Sequence, residues 1–319
     1  MYTGAFMIAL TLVGIMGFAS QRGGTCIVAA LEEVVLNGTF KRLIALIEAS
    51  LWAGGALVLL SAAGLIPSVP VDYAIGFGTV IGGVLFGVGA FVNGACVFGT
   101  VARIGSGELS YLAMPLGFYL GSLASAHLPI PTQLDGRSPL MAASTCLSAP
   151  VILLIVVRIY RHVRIMRQTG RSLSQHIWSP HVATTIIGIT FAITMAVQPN
   201  WTYTELLSDL AHGMISGLPV KTQFGMVLLV GAIAGGLTKG RFGLLKPDLP
   251  SIARHLVGGI LMGTGGLLIP GGNTGLALVG LPLLWPYAWL ALMSICVTIL
   301  AALRLKARTK RSAAPFHSV

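Results

Sequence analysis

From Tyr73 to Ala102 and from Leu256 to Leu303 the chain carries no Asp, Glu, Lys or Arg. A charge-free apolar run longer than about 18 residues satisfies its backbone in a bilayer by forming a helix. Similar runs begin near Gly4 and Leu51. Of 319 residues, 55% are hydrophobic and 9% charged, against about 25% charged in an ordinary soluble domain. The sequence predicts an all-α polytopic membrane protein with about nine transmembrane helices, at 4–21, 43–66, 73–93, 109–128, 139–158, 181–199, 222–238, 255–269 and 284–304. The first run has neither a basic leader nor a small-residue cleavage site, so it reads as a span and not as a removable signal.

A net charge of +11 would suggest nucleic acid in a soluble protein. Its placement gives another answer. Lys41 and Arg42, Arg103, the runs Arg158 to Arg171 and Lys239 to Arg254, and the tail Arg304 to Arg311 all fall on one side of the nine-span topology. Asp72, Asp135, Glu205 and Asp209 fall in the loops on the other side, at 67–72, 129–138 and 200–221. The positive-inside rule makes the basic side cytoplasmic, with the N-terminus outside and the C-terminus inside. The charge then belongs to orienting loops and lipid headgroups, with no nucleic-acid partner.

The chain repeats itself. "GGVLFGVGAFVNGACVFG" (Gly82–Gly99) aligns without gaps to "GGILMGTGGLLIPGGNTG" (Gly258–Gly275), 176 residues later, and shares five glycines with it. The expected organisation is a first membrane repeat at 1–138, a connecting span and basic loop at 139–180, and a second repeat with a basic tail at 181–319. The first unit begins outside and the second inside, so the two pseudo-symmetric repeats would be inverted, a pattern that places a transporter's substrate near the midplane. Gly82, Gly83, Gly87, Gly258, Gly259 and Gly263 read as close helix packing.

Segments 22–37, 94–108 and 270–283 are too short or too glycine-rich to cross, and read as re-entrant half-helices. In "GFASQRGGTC" (Gly17–Cys26) and "GAFVNGACVFGTVARIGSGE" (Gly89–Glu108) a thiol stands where a half-helix begins. Unpaired N–H groups and the positive end of the helix dipole favour an anion there, and the position sharpens a thiol's reactivity. The candidate substrate-binding residues are therefore Cys26, Cys96, Arg22, Asn93, Gly94, Gly272 and Asn273. Cys146 and Cys296 read as small hydrophobes within spans, Glu32 and Glu33 as cytoplasmic surface, and Arg103 with Glu108 as a local ion pair. All four cysteines read as free thiols. No metal-ligand spacing, cofactor fingerprint or enzyme motif occurs, so the sequence predicts no cofactor and no catalysis.

These blocks resemble the YeeE/YedE family of bacterial sulfur-compound transporters. "GFASQRGGTC" and the Gly89–Glu108 block look like its two cysteine motifs. "GAIAGGLTKGRFGLLKP" (Gly231–Pro247) and "GGILMGTGGLLIPGGNTGLALVGLP" (Gly258–Pro282) look like its later blocks. The resemblance implies an hourglass-shaped helical fold in the bacterial inner membrane, with re-entrant helices meeting at a narrow centre lined by three cysteines. It also implies passage of thiosulfate by hydrogen bonds to successive thiols, without large rocking. Cys26 and Cys96 match the first two thiols. At the third the family reads Gly-Gly-Cys-Asn, whereas "PGGN" here puts Gly272, followed by Asn273.

The leading expectation is uptake of thiosulfate or a related small sulfur-containing anion, with membrane lipid as its surroundings. Three other readings fit the same residues. One is carriage of a different solute, such as a selenium compound or sulfite. Another is a membrane sulfurtransferase or redox protein that exchanges persulfide or disulfide through Cys26 and Cys96. The last is a subunit that recruits a cytoplasmic sulfur-carrier protein through loop 158–171.

Overall fold

The computed structural model describes residues 3–66, 72–125, 127, 132–134, 138–169, 179–199, 201–214, 217–240 and 242–312. Asp135, Arg171 and Arg241, assigned above to loops, lie outside these. The first half runs α1 (Thr3–Gly23), α2 (Ile27–Asn37), α3 (Lys41–Ala62), α4 (Phe77–Asn93), α5 (Val97–Gly105) and α6 (Ala113–Ala124), which a 3-10 turn at Leu109–Leu112 introduces. A short α7 (Pro139–Ala142) and α8 (Ser144–Thr169) follow. The second half runs α9 (Pro180–Val197), α10 (Tyr203–Ala211), α11 (Leu218–Thr238), α12 (Leu249–Leu268), α13 (Gly272–Gly275) with a π-turn at Leu276–Gly280, and α14 (Pro286–Ser312). The strands among the described residues are β1 (Asp72–Tyr73) and β2 (Gln133–Leu134), which pair antiparallel and tie together two loops expected outside.

Among the described residues, six helical stretches are long and apolar enough to cross a membrane, and a seventh if the bent pair α12–α13 counts as one span. Two of the nine expected spans, 109–128 and 139–158, fall on shorter apolar helices, Leu109–Ala124 and Ser144–Arg158. At 1.5 Å per residue the apolar part of α8 is about 22 Å long, short of a hydrocarbon core of about 30 Å. Pro150 inside it removes a backbone donor as well.

Two of the three expected re-entrant breaks take a different form. α1 with α2, and α4 with α5, each run on as one interrupted span, bent by no more than 40°. At the third break α12 and α13 diverge by 49°.

The starts and contacts of the helices follow from local chemistry. Asp248 caps α12 by accepting the Ser251 N–H at 3.1 Å, and Thr202 caps α10 by accepting that of Glu205 at 3.1 Å. Glu48 on α3 binds Arg158 of α8 through both oxygens, at 2.9 and 3.0 Å, and His181 of α9 at 2.9 Å. Glycines set how closely the helices approach, as small residues do in membranes. α4 crosses α12 reciprocally: a methyl added at Gly89 would lie 2.6 Å from the Gly258 carbonyl oxygen, and one at Gly258 would lie 2.8 Å from that of Gly89. The pair Gly82 and Gly265 repeats this at 3.0 and 2.6 Å. Gly83 and Gly87 meet α14, and Gly259 and Gly263 meet α6, in the same manner. All six glycines assigned to packing are packing glycines.

Candidate functional site

The site is built from interruptions in helices. α1 ends on Gly24, whose φ of +61° turns the chain, and the Ser20 hydroxyl bonds that of Thr25 at 3.1 Å. Cys26 then stands in extended backbone as the first residue before α2. The second break repeats this order. Gly94, with φ +75°, closes α4, Ala95 follows, and Cys96 stands extended before α5. The packing joins the two thiol positions. Both cysteines are buried and free, and the Cys96 N–H donates to Cys26 Sγ at 3.4 Å. Gly99, one turn into α5, leaves the room: a Cβ there would lie 2.5 Å from Cys26 Sγ.

Asn93 is wholly enclosed and fully engaged. Its amide nitrogen donates to the Ala95 carbonyl at 2.7 Å and the Thr100 hydroxyl at 2.9 Å, and its oxygen meets His255 Nδ1 at 2.8 Å. It therefore holds the shape of the break. His255 stacks on Tyr111 with ring centroids 3.8 Å apart, and Arg103 pairs with Glu108 at 2.9 Å, as its spacing predicted. Sequence reasoning set His255 aside as unplaced; its partner is 162 residues away, and no local pattern carries that link.

The third break is at Gly271 and Gly272, with φ of +88° and +52°. Tyr287 donates to the Pro270 carbonyl at 2.7 Å and Ser50 to that of Ala277 at 2.6 Å, so backbone freed by the bend finds partners. A Cβ on Gly272 would lie 2.9 Å from Thr204 Cγ2 and 3.1 Å from its hydroxyl. Thr204 occupies the space that a side chain at 272 would need. Its hydroxyl bonds the Gly271 carbonyl at 3.0 Å and the Thr202 hydroxyl at 2.9 Å. Asn273 Oδ1 and Thr274 Oγ1 are buried with no hydrogen-bond partner among the described residues.

Thr202 and Thr204 come from a helix that the sequence reading had dissolved into the loop 200–221. α10 is short and carries Glu205 and Asp209, so it looks like surface, yet Tyr203, Thr204, Leu206, Leu207 and Asp209 on it are buried. A signal for it was present: the 176-residue register, extended back from Gly82–Gly99, takes Cys26 to Thr202.

Two cavities flank the third break. One, of about 110 Å³, has Thr25, Cys96, Asn273 and Thr274 at its polar end and apolar walls from α3 and α14. The other, of about 220 Å³, is lined by Tyr73, Thr204, Glu205, Ser208, His212 and Gly272. Burial pushes the Glu205 carboxyl up to about 7; Lys221 opposes the shift and Asp209 adds to it. Of the expected binding residues, Cys96 and Asn273 line the first cavity and Gly272 the second. Cys26 lies behind Cys96 and Gly99. Arg22, Asn93 and Gly94 line neither; Arg22 closes α1, its carbonyl accepting from Lys239 Nζ at 3.3 Å.

A family model described as sulphur transport matches residues 22–301, from Arg22 past every break described above. The thiosulfate transporter TsuA of Escherichia coli (strain K12) is 24% identical over 325 aligned positions, covering 90% of this chain and 91% of that protein. The thiosulfate transporter TsuA of Spirochaeta thermophila is 23% identical over 318, covering 88% and 93%. With its apolar helices, its interrupted spans and a match across most of its length, this chain belongs to the YeeE/YedE sulphur-transport family of multi-pass membrane proteins.

Proposed function

We propose that this protein carries thiosulfate or a closely related small sulfur-containing anion across the bacterial inner membrane, inward, past Cys26 and Cys96. The observation that carries the reading is the pair of buried free thiols at two successive helix breaks, joined by the Cys96 N–H to Cys26 Sγ bond. An S–H group is a weak donor, suited to the terminal sulfur of thiosulfate, and it releases the ion again. The N–H groups opening α5 add donors where no intrahelical partner exists. Both relatives are named thiosulfate transporters, which agrees with conduction of this ion without chemical change.

The reading includes two inverted repeats. The contact of Gly82 with Gly265 and of Gly89 with Gly258 supports it, because the 176-residue register makes Gly82 the counterpart of Gly258 and Gly89 that of Gly265. Contacts that exchange counterparts in this way are what a local two-fold axis produces. The N-terminus lies outside and the C-terminus in the cytoplasm. Exposed Arg161 and Arg164 on α8 would then meet an acidic cytoplasmic sulfur carrier.

The test is growth on thiosulfate as sole sulfur source in a bacterial host stripped of thiosulfate uptake. Wild type should restore growth, and Cys96→Ala, present in the membrane at equal level, should not. Growth with Cys96→Ala, or none with wild type, overturns the reading.

A further inference from the structure

We infer that the cavity of about 110 Å³ beside Cys96 is a side site for a short uncharged thiol, which enters from the bilayer between α3 and α14 and seats its S–H head on Asn273 and Thr274. The occupant is neutral and the entrance lateral, so the site goes beyond the transport reading and stands or falls apart from it.

The polar end sets what the head must do. Ser50, Thr184 and Thr25 also line the cavity, but each hydroxyl is engaged, with the Ala277 carbonyl at 2.6 Å, the Pro180 carbonyl at 2.9 Å and the Ser20 hydroxyl at 3.1 Å. Asn273 Oδ1 and Thr274 Oγ1 have no partner among the described residues, although their residues are only 7% and 5% exposed. Buried polar groups left so cost free energy until something meets them. Asn273 offers an acceptor, and Thr274 a hydroxyl that gives or takes. An occupant must therefore donate one hydrogen bond and accept another. Turning the amide over changes nothing, because the hydroxyl then takes the hydrogen that the amide no longer takes.

The walls set the rest. Leu43, Leu46, Ile47, Leu278, Leu281 and Leu292 make up much of the lining, and no described residue in it is charged. An ion would leave its water there without a counter-charge, which excludes anions, thiosulfate included. A water molecule could meet the two polar atoms but would leave the apolar walls bare. A cavity of about 150 Å³ takes up benzene, so this one suits a chain of about three carbons. Sulfur suits the head better than oxygen: an S–H group is a weak donor and gives up little hydration on entering apolar surroundings. The free thiols Cys96 and Cys296 also line the cavity and put polarizable atoms in its walls.

The entrance lies between α3 and α14. Ile47 is 53% exposed, and Leu43, Leu292 and Cys296 are half-buried. Ile47 is six residues from Lys41 and Cys296 eight from Arg304, which puts them about 9 and about 12 Å from the basic ends of their helices. Met293 and Val297, beside Cys296 in sequence, are exposed and apolar. The opening is therefore at hydrocarbon depth, and what reaches it is dissolved in the bilayer.

The test uses the purified full-length protein in lipid nanodiscs, with a phosphine reductant to keep every thiol free and tritiated 1-propanethiol as the probe. Binding is counted above that of empty nanodiscs. Wild type should bind the thiol saturably, and 1-propanol should compete at least about tenfold more weakly. Thr274→Val should weaken binding about fivefold, the worth of one modest hydrogen bond. Cys296→Phe, at a half-buried wall position, should abolish binding by filling the space, and it carries the test if Thr274→Val does not fold. Thiosulfate should not displace the thiol. No saturable binding by wild type overturns the inference, as does full binding by Cys296→Phe, unchanged binding by folded Thr274→Val, parity of propanol, or displacement by thiosulfate. Growth on thiosulfate that needs Cys96, with no thiol bound, leaves the transport reading standing and removes this one. Saturable thiol binding with no growth from wild type does the reverse.

Discussion

Cys96 turns its backbone N–H toward the sulfur of Cys26 at 3.4 Å, across a gap kept open by the missing side chain of Gly99. Two thiol positions 70 residues apart thus form one local unit, and a change at either, or at the glycine between, acts on both.

Gly99→Ala should remove transport while leaving the protein in the membrane. Its Cβ would fall 2.5 Å from Cys26 Sγ and 3.2 Å from the Ala95 Cβ, so the thiol must leave its seat. Radiolabelled thiosulfate uptake is expected to fall at least about tenfold, a cost of about 1.4 kcal/mol or more at the rate-limiting passage. Combining it with Cys26→Ala should recover thermal stability without recovering uptake, and a double-mutant cycle on melting temperature would show the coupling.

Asn93→Ala should destabilise the fold. It strips partners from the Ala95 carbonyl, the Thr100 hydroxyl and His255 Nδ1, all enclosed. Leaving buried polar groups unmet costs about 1–3 kcal/mol each, and relaxation recovers part of it. A loss of about 2–4 kcal/mol would appear as a lower unfolding midpoint in detergent. Asn93→Asp, which keeps the acceptor toward His255, should lose less.

Gly272→Cys, which writes the family's third thiol into this chain, should misfold alone. The new Cβ would enter the Thr204 side chain at 2.9 Å, on a backbone held at φ +52°. With Thr204→Ala beside it, folded yield on size-exclusion chromatography should recover substantially.

Stability should fall as pH rises from about 4.5 toward about 7, the ordinary and folded values for the Glu205 carboxyl. The folded state binds more protons than the unfolded state across that window, so raising pH favours unfolding. Glu205→Gln should flatten this part of the melting-temperature profile, and an unchanged profile would assign the slope to another group.

Most of the spans, though not all nine, were legible because long charge-free runs leave a chain few alternatives, and the breaks because Gly24, Gly94 and Gly271 interrupt such runs. That the cysteines at two of them stand where a helix begins could be read from position alone. α10 was not legible: nine residues bearing Glu205 and Asp209 have no apolar face long enough to distinguish them from a loop, and only packing beneath β1 and beside Gly272 makes them interior. The role of Asn93 was misplaced for a related reason. An asparagine before a turn looks free to bind, and its engagement by Thr100 and His255 depends on how α5 and α12 fold back onto α4.

The contact between Thr204 and Gly272 also orders the chain's possible histories. A lineage that gains a side chain at position 272 must first pass through a smaller residue at 204, and one that loses it must do so before 204 enlarges, because the other order goes through a protein with two occupants of one space. The two positions are an epistatic pair separated by 68 residues of sequence, and the clash fixes the order in which they can change.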